Sequence, residues 1–283
     1  MLNMYLPDSF NAWFNIDDGK RIRSVTPDEN RRWIFTPSFR RAEIALMKWP
    51  KDDTVTPEST IRILVVRPFE FDKYVRNHGH TFPVISLPQD EIGAGYPRFW
   101  IQKMALRLKL HFIWMIDDSV ECFYEYGPKK KSESSYRDWT DRRRPFGSVF
   151  ERIERLVKEA QTGENPIAAM SPKNFMGGTV VNNAFVCSPP RMTVFLNLRL
   201  LKEKEVYYRP ELQAFEDMVF GYECEKNGLK VFINNRIQQQ DHRWKDTGAQ
   251  SPSVTQHQTH QTEAVPDPDS DTDSVNDADA DSD

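Results

Sequence analysis

Residues 111–120 read HFIWMIDDSV. Phe112, Ile113, Trp114, Met115 and Ile116 form an unbroken apolar run that stops at two adjacent carboxylates, Asp117 and Asp118. A short continuous apolar run bounded by turn residues is the pattern of a strand buried on both faces. The acids at its end have two readings. They can cap a turn, or their hard oxygens can hold a divalent cation.

Upstream, IRILVV (61–66) is a second buried-type strand. A helix is expected over Phe69–Asn77, with Pro68 in its first turn. FPVISLP is a third strand. The glycine-bearing loop DEIGAGYPRFW feeds a helix with Phe99, Met104, Leu106 and Leu108 as candidate buried positions. A short strand, Trp33–Thr36, precedes all of these and runs into the loop PSFRRA with Arg40 and Arg41. Strand–helix–strand–helix–strand predicts an α/β fold with a mostly parallel sheet. In such sheets the ligand crevice lies beyond the carboxyl ends of the strands. Asp117, Asp118 and the PSFRRA loop are placed there.

Downstream, GPKKKSESSYRDWTDRRRPFG (127–147) reads as a polar loop. A helix is expected over Phe150–Ala160, then short strands in PIAAM, NAFVCS and MTVFLN. A helix over Phe215–Asn227 ends at Gly228 as its C′ residue and gives way to a strand, Leu229–Ile233.

The chain has 283 residues with 39% hydrophobic content, enough for one large core or two small ones. No segment has the apolar length of a membrane span. The start MLNMYLPDSFNAWF lacks the basic-then-apolar pattern of a secretory signal. Cys122, Cys187 and Cys224 are too few and scattered for a disulfide scaffold or zinc cluster, which points to a nuclear or cytosolic setting. The net charge of −4 is unevenly placed. Residues 263–283 hold nine acids and no Lys or Arg, so residues 1–262 carry +5. Three regions are expected: a leader (1–30), a folded domain (31–246) and a disordered acidic tail (247–283).

Further polar groups recur at places where the crevice is expected. Arg98 sits at a helix start, in reach of the acid pair or of a nucleotide. Glu216 and Asp217 open a helix, where the macrodipole favours acids, and where one can serve as general base to a hydroxyl. His242 follows the last strand, and imidazole is a competent Mn²⁺ ligand.

In this order along the chain, GAGYPRFWIQKMA with FIWMIDDSV, NAFVCSPP, YYRPELQAFEDMVFGYECEKNGLKVF and DHRW resemble GT-A glycosyltransferases. More closely they resemble the TET/JBP-associated glycosyltransferases, including base J glucosyltransferase and the glycosyltransferase-like region of the GREB-type growth-regulation proteins. The resemblance spans about residues 30 to 245. It implies a Rossmann-like nucleotide-sugar fold, a UDP-sugar donor, and Mn²⁺ or Mg²⁺ held by Asp118 with Asp117 supporting and His242 as a further ligand. Arg40, Arg41, Arg98 and Asp117 are the implied nucleotide contacts. Asp217 is the implied base, with Glu216 positioning the acceptor and inversion at the transferred sugar.

For the family the resemblance implies glucosylation of hydroxymethylated pyrimidine in DNA; for the GREB-type branch, N-acetylglucosamine transfer to protein Ser/Thr. The family often has a third acid where this chain has Ser119, so a weakly active fold retained for chromatin or receptor binding is a third possibility. For DNA, Lys129, Lys130, Lys131, Arg142, Arg143 and Arg144, interleaved with Tyr136 and Trp139, supply phosphate-neutralising and base-stacking groups. The same run can be a nuclear-localisation element or a solvated loop.

Overall fold

The computed structural model describes residues 3–16, 22–26, 31–49, 55–91, 93–125, 143–161, 166–174 and 183–242. In chain order the strands and helices begin with β1 (Met4–Tyr5), β2 (Phe14–Ile16), β3 (Ile22–Val25), β4 (Arg32–Pro37) and β5 (Thr60–Val66). Next come α1 (Phe71–His78), β6 (Val84–Ser86), α2 (Gly95–Arg107), β7 (Phe112–Ile116) and β8 (Val120–Glu125). The remainder are β9 (Arg143–Arg144), α3 (Phe146–Glu159), β10 (Ile167–Asn174), β11 (Phe185–Cys187), β12 (Thr193–Asn197), α4 (Leu198–Glu203), α5 (Glu216–Lys226) and β13 (Lys230–Asp241).

The α/β class expected from the sequence is present. One large mixed sheet runs β1-β6-β5-β4-β7-β12-β10-β13-β8-β9, with β11 paired to β13. The run from β6 through β5 and β4 to β7 is parallel, as is β10 with β13, and the other pairings are antiparallel. Both faces of the parallel part are covered, which is why its strands read as continuous apolar runs. Phe35, Ile63, Val65 and Met115 face α2, α4 and α5 through Ile101, Leu201 and Phe220. Ile34, Trp114 and Phe195 face α3 through Phe146 and Phe150. Each large side chain buried this way contributes roughly 1.5–3 kcal/mol.

Several elements differ from expectation. β13 continues to Asp241 rather than ending at Ile233, because Ile237–Asp241 gain a ladder with β8, itself unforeseen. Gln238, Gln239 and Gln240 carry amides, with no apolar alternation to betray a strand. The helix expected from Phe150 starts at Phe146, and Arg143–Arg144 form a strand where a loop was expected. The leader contributes to the fold: β1 lengthens the sheet beside β6, and Trp13 and Phe14 meet Trp33 edge-on at 5.1 and 5.6 Å. The tail, 247–283, lies outside the described residues. Among the described residues no helix is long and apolar enough to cross a membrane.

Candidate active site at the switch point of the sheet

β4 is flanked by β5 on one side and by β7 on the other, so the chain changes direction across the sheet at the β4/β7 boundary. That boundary is where open α/β sheets place ligands. Asp117 and Asp118 leave the end of β7 and Ser38 and Arg41 leave the end of β4, so the four meet there.

The two acids have different surroundings. The side chain of Asp118 is 3% exposed, that of Asp117 24%. Asp118 Oδ1 accepts from Arg41 Nη1 at 2.7 Å, and Oδ2 accepts from the Ser38 hydroxyl. The Ser38 oxygen in turn accepts from the Tyr74 hydroxyl, which accepts the Arg41 backbone N–H at 3.1 Å. Burial pushes the Tyr74 hydroxyl far up, so it stays a donor. Behind them Arg62, buried in β5, donates to the Leu46 and Met47 carbonyls at 3.0 and 2.9 Å and lies 4.1 Å from the Trp49 ring centre. Burial pulls Arg62 down to about 9, with the charge of Asp118 opposing. Asp118 therefore anchors the segment that follows β4, and its main-chain oxygen also takes the Leu46 N–H at 2.8 Å.

Asp117 accepts from Arg98 Nη2 at 3.0 Å through Oδ1. Its carboxyl is raised to about 6: burial disfavours the charge, Arg98 opposes, and Asp118 and Glu216 add repulsion. Arg98, expected to contact a nucleotide, is instead buried, and its Nε lies 3.2 Å from Glu216 Oε1. Burial works against the Arg98 charge, but Asp117, Tyr208, Glu216 and Asp217 outweigh it and hold the guanidinium protonated. Glu216, expected to position an acceptor, is thus committed to Arg98. Asp217 is partly exposed and, among the described residues, accepts its neighbour's N–H, from Met218 at 2.8 Å.

The glycines of GAGYP have a different use from close approach to a ligand. Ala94 N–H donates to the Gln213 carbonyl at 3.3 Å and Gly95 N–H to that of Leu212 at 3.1 Å. A Cβ on Gly95 would lie 2.2 Å from the Arg209 oxygen, and Gly93 holds φ +108° against the Gln213 backbone. The close approach is to the chain's own segment leading into α5. It brings the starts of α2 and α5 together.

His242 donates its backbone N–H to the Ser119 oxygen at 2.7 Å, which sets it beside the acid pair. Its Nδ1 lies 3.9 Å from Glu121 Oε2. Among the described residues no three His, Cys, Asp or Glu side chains gather around one point. Of the basic run, Lys129, Lys130, Lys131, Arg142, Tyr136 and Trp139 lie outside the described residues. Arg143 and Arg144 are exposed on β9, and Arg144 pairs with Glu125 at 2.9 Å.

Glu70, Arg67 and Phe69, which sequence reasoning missed, lie together beside Arg40, which it named. Arg40, at φ 55°, donates its N–H to Glu70 Oε1 at 2.7 Å. Burial raises the Glu70 carboxyl, and its Oε2 is buried without a partner. Arg67 lies 3.6 Å over the Phe39 ring, which meets the exposed Phe69 edge-on at 6.2 Å. Nothing in RPFE distinguishes such an acid from a helix-start acid, so no local signal existed. Arg41 Nε, Arg62 Nη2, Glu70 Oε2 and Arg98 Nη1 are among the buried polar atoms without a hydrogen-bond partner among the described residues.

Comparison with known proteins adds a family. The model for TET-Associated Glycosyltransferase matches residues 33–249. No curated protein matches the sequence. Among solved structures, S. aureus TarS residues 1–349 in complex with UDP-GlcNAc aligns at 12% identity over 77% of this chain and 60% of that one, TM-score 0.47. A197 from STIV aligns at 13% identity over 76% and 86%, TM-score 0.40. A cytidylyltransferase from Leptospira borgpetersenii aligns at 10% over 74% and 78%, TM-score 0.38. This chain thus spans about three fifths of the length of the TarS chain.

Proposed function

The chain belongs to the TET-associated glycosyltransferase family, and from that premise we propose that it moves a sugar from a UDP-sugar onto a hydroxyl of 5-hydroxymethylated pyrimidine in DNA, in the nucleus. The observation that carries the donor half is the acid pair at the switch point, faced by Arg41 from the end of β4. The site accommodates a diphosphate through the Arg41 guanidinium and the Arg40 side of the same loop. The exposed Phe69 ring, edge-on to Phe39, would take the nucleobase, with Glu70 fixing the Arg40 main chain beside it. Glu70→Ala is expected to weaken UDP binding about ten-fold, measured by calorimetry, while leaving the fold intact.

The donor set suits Mn²⁺ or Mg²⁺ in part. Asp117 keeps Oδ2 clear of the Arg98 hydrogen bond and is the more open carboxylate, and His242 is tied beside Ser119. One or two carboxylates completed by substrate phosphates is the usual Mg²⁺ arrangement, and imidazole suits Mn²⁺. Asp117 would hold the ion together with substrate phosphates, since Asp118 and His242 do not gather with it around one point among the described residues, and the ion would supply charge neutralisation for the departing UDP.

Asp217 takes the proton from the acceptor hydroxyl as that oxygen bonds to the anomeric carbon. The bond from that carbon to the β-phosphate oxygen breaks, UDP leaves with the electron pair, and the configuration inverts. Asp217→Asn is expected to lower turnover about 100-fold with donor binding unchanged, read as UDP release against UDP affinity.

The acceptor assignment rests on the family and on the basic, aromatic run 129–144. A protein Ser/Thr acceptor is the second reading. It is favoured by Phe215, Met218 and Tyr222, large and exposed at the start and along one side of α5 next to Asp217. Exposed Phe, Met and Tyr are typical of protein-binding surfaces. Radiolabelled UDP-glucose and UDP-N-acetylglucosamine, each offered with hydroxymethylated DNA and with nuclear protein, decide between them. Label entering protein alone rejects the DNA reading. No donor turnover with Mn²⁺ rejects both.

A further inference from the structure

We infer that Arg98 is a positioning residue that locks the donor-side acid Asp117 to the acceptor-side acid Glu216, and that it does not itself hold the nucleotide. The inference rests on the assignment above of Asp117 to the donor half of the reaction and of Asp217, the neighbour of Glu216, to the acceptor half. It assigns to Arg98 a role different from nucleotide binding.

The geometry is that of a clamp between three elements. Arg98 lies one turn into α2. Its Nη2 is 3.0 Å from Asp117 at the end of β7, and its Nε is 3.2 Å from Glu216, the first residue of α5. The side chain is 7% exposed, and the remaining nitrogen, Nη1, is buried without an acceptor. A group so enclosed cannot meet a diphosphate unless Asp117 moves first. The clamp is set by main chain. Gly93 and Gly95 let the start of α2 lie directly on residues 209–213, where two N–H groups bond to Leu212 and Gln213. Below the guanidinium, Tyr208 stacks on Phe220 of α5 at 4.2 Å, and its N–H donates to Gln102 of α2 at 2.8 Å. The two helix starts therefore have little freedom to separate.

The physical consequence follows from charge. Without the guanidinium, Asp117 and Glu216 face one another as like charges in a poorly solvated place. With it, both are drawn to one planar fork, which a lysine ammonium cannot reproduce at two angles. Glu216 fixes the first turn of α5, and so the direction of Asp217 beside it. A single displacement needs the attacking hydroxyl and the leaving phosphate in line in the same step, and small misplacement is expensive.

The test uses the whole chain with Mn²⁺. Arg98→Ala and Arg98→Lys are compared with the natural protein for UDP affinity by calorimetry and for UDP release from UDP-glucose and UDP-N-acetylglucosamine. Turnover is expected to fall about 100-fold with UDP affinity held within about three-fold. Millimolar guanidinium should restore at least about ten-fold in Arg98→Ala and nothing in Arg98→Lys. Affinity falling as far as turnover would make Arg98 a nucleotide contact and overturn the inference. A second arm needs no activity. Arg98→Met should lower the melting temperature by about 10 °C, and adding Glu216→Gln should recover part of that loss. If Glu216→Gln adds its own loss instead, the two residues are not coupled and the clamp is rejected. If the natural protein binds no UDP, the transfer reading fails while the melting arm still decides the clamp.

Discussion

Asp118→Asn is expected to remove donor turnover, by about 1,000-fold or more, and to cost about 3 kcal/mol of stability. Both effects have the same origin. Asp118 is the centre of a buried network in which Arg41, Ser38 and Tyr74 meet, with Arg62 behind them. An amide keeps the volume but not the charge, so Arg41 faces a neutral group while Arg62 loses the carboxylate that supports its protonation. Its NH₂ group also presents a donor where the network supplies only donors. The segment 38–49, which Asp118 anchors, then loosens over the crevice. UDP release with Mn²⁺ and urea unfolding on the same preparation measure the two losses. Ser38→Ala separates them: losing the two hydrogen bonds of the Ser38 hydroxyl, to Asp118 and from Tyr74, costs about 2 kcal/mol while leaving the charge in place. Full turnover in Asp118→Asn would remove Asp118 from the site.

The second large effect is steric and comes from a single methyl group. Gly95→Ala places a Cβ 2.2 Å from the Arg209 oxygen and 2.8 Å from that of Leu212, both main chain. Neither can swing away as a side chain would, so α2 must shift from the segment leading into α5. The expected cost is about 3 kcal/mol, with loss of the Arg98–Glu216 contact and of turnover beyond what the loss of stability explains. Gly228→Ala is the control. Its Cβ would meet nothing, and only the φ of +73° resists, for about 1 kcal/mol. Denaturant midpoints for the two variants should therefore differ clearly. If Gly95→Ala is as mild as Gly228→Ala, the main-chain packing of α2 on 209–213 is not as tight as described.

The acid pair also shows why reading residues one at a time is uneven. Asp117 and Asp118 are adjacent and chemically identical, and the sequence-based expectation favoured Asp118 as the chief metal ligand. The surroundings separate them: Asp118 is enclosed by Arg41 and Ser38, while Asp117 is open enough to meet a ligand, its carboxyl raised to about 6. Glu216 and Asp217 divide the same way, one buried and bound to Arg98, the other partly exposed.

What the sequence by itself determined is whatever depends on short-range pattern. The buried runs in β5 and β7, the helix that follows Pro68, the helix closed by Gly228 and the order of the acid pairs are written locally, because apolar period and turn chemistry act over a few residues. Tertiary structure alone decided what depends on which distant groups meet. β13 runs on through Gln238–Gln240 because β8 supplies hydrogen-bond partners that no side-chain period announces. Glu70 became a crevice acid because β5 and β4 lie side by side. The glycines before α2 serve residues 209–213, more than a hundred positions away. Arg98 is a clamp rather than a surface charge for the same reason: its partners, Asp117 and Glu216, are brought to it by main-chain packing, and a charge has no fixed role until its neighbours are in place.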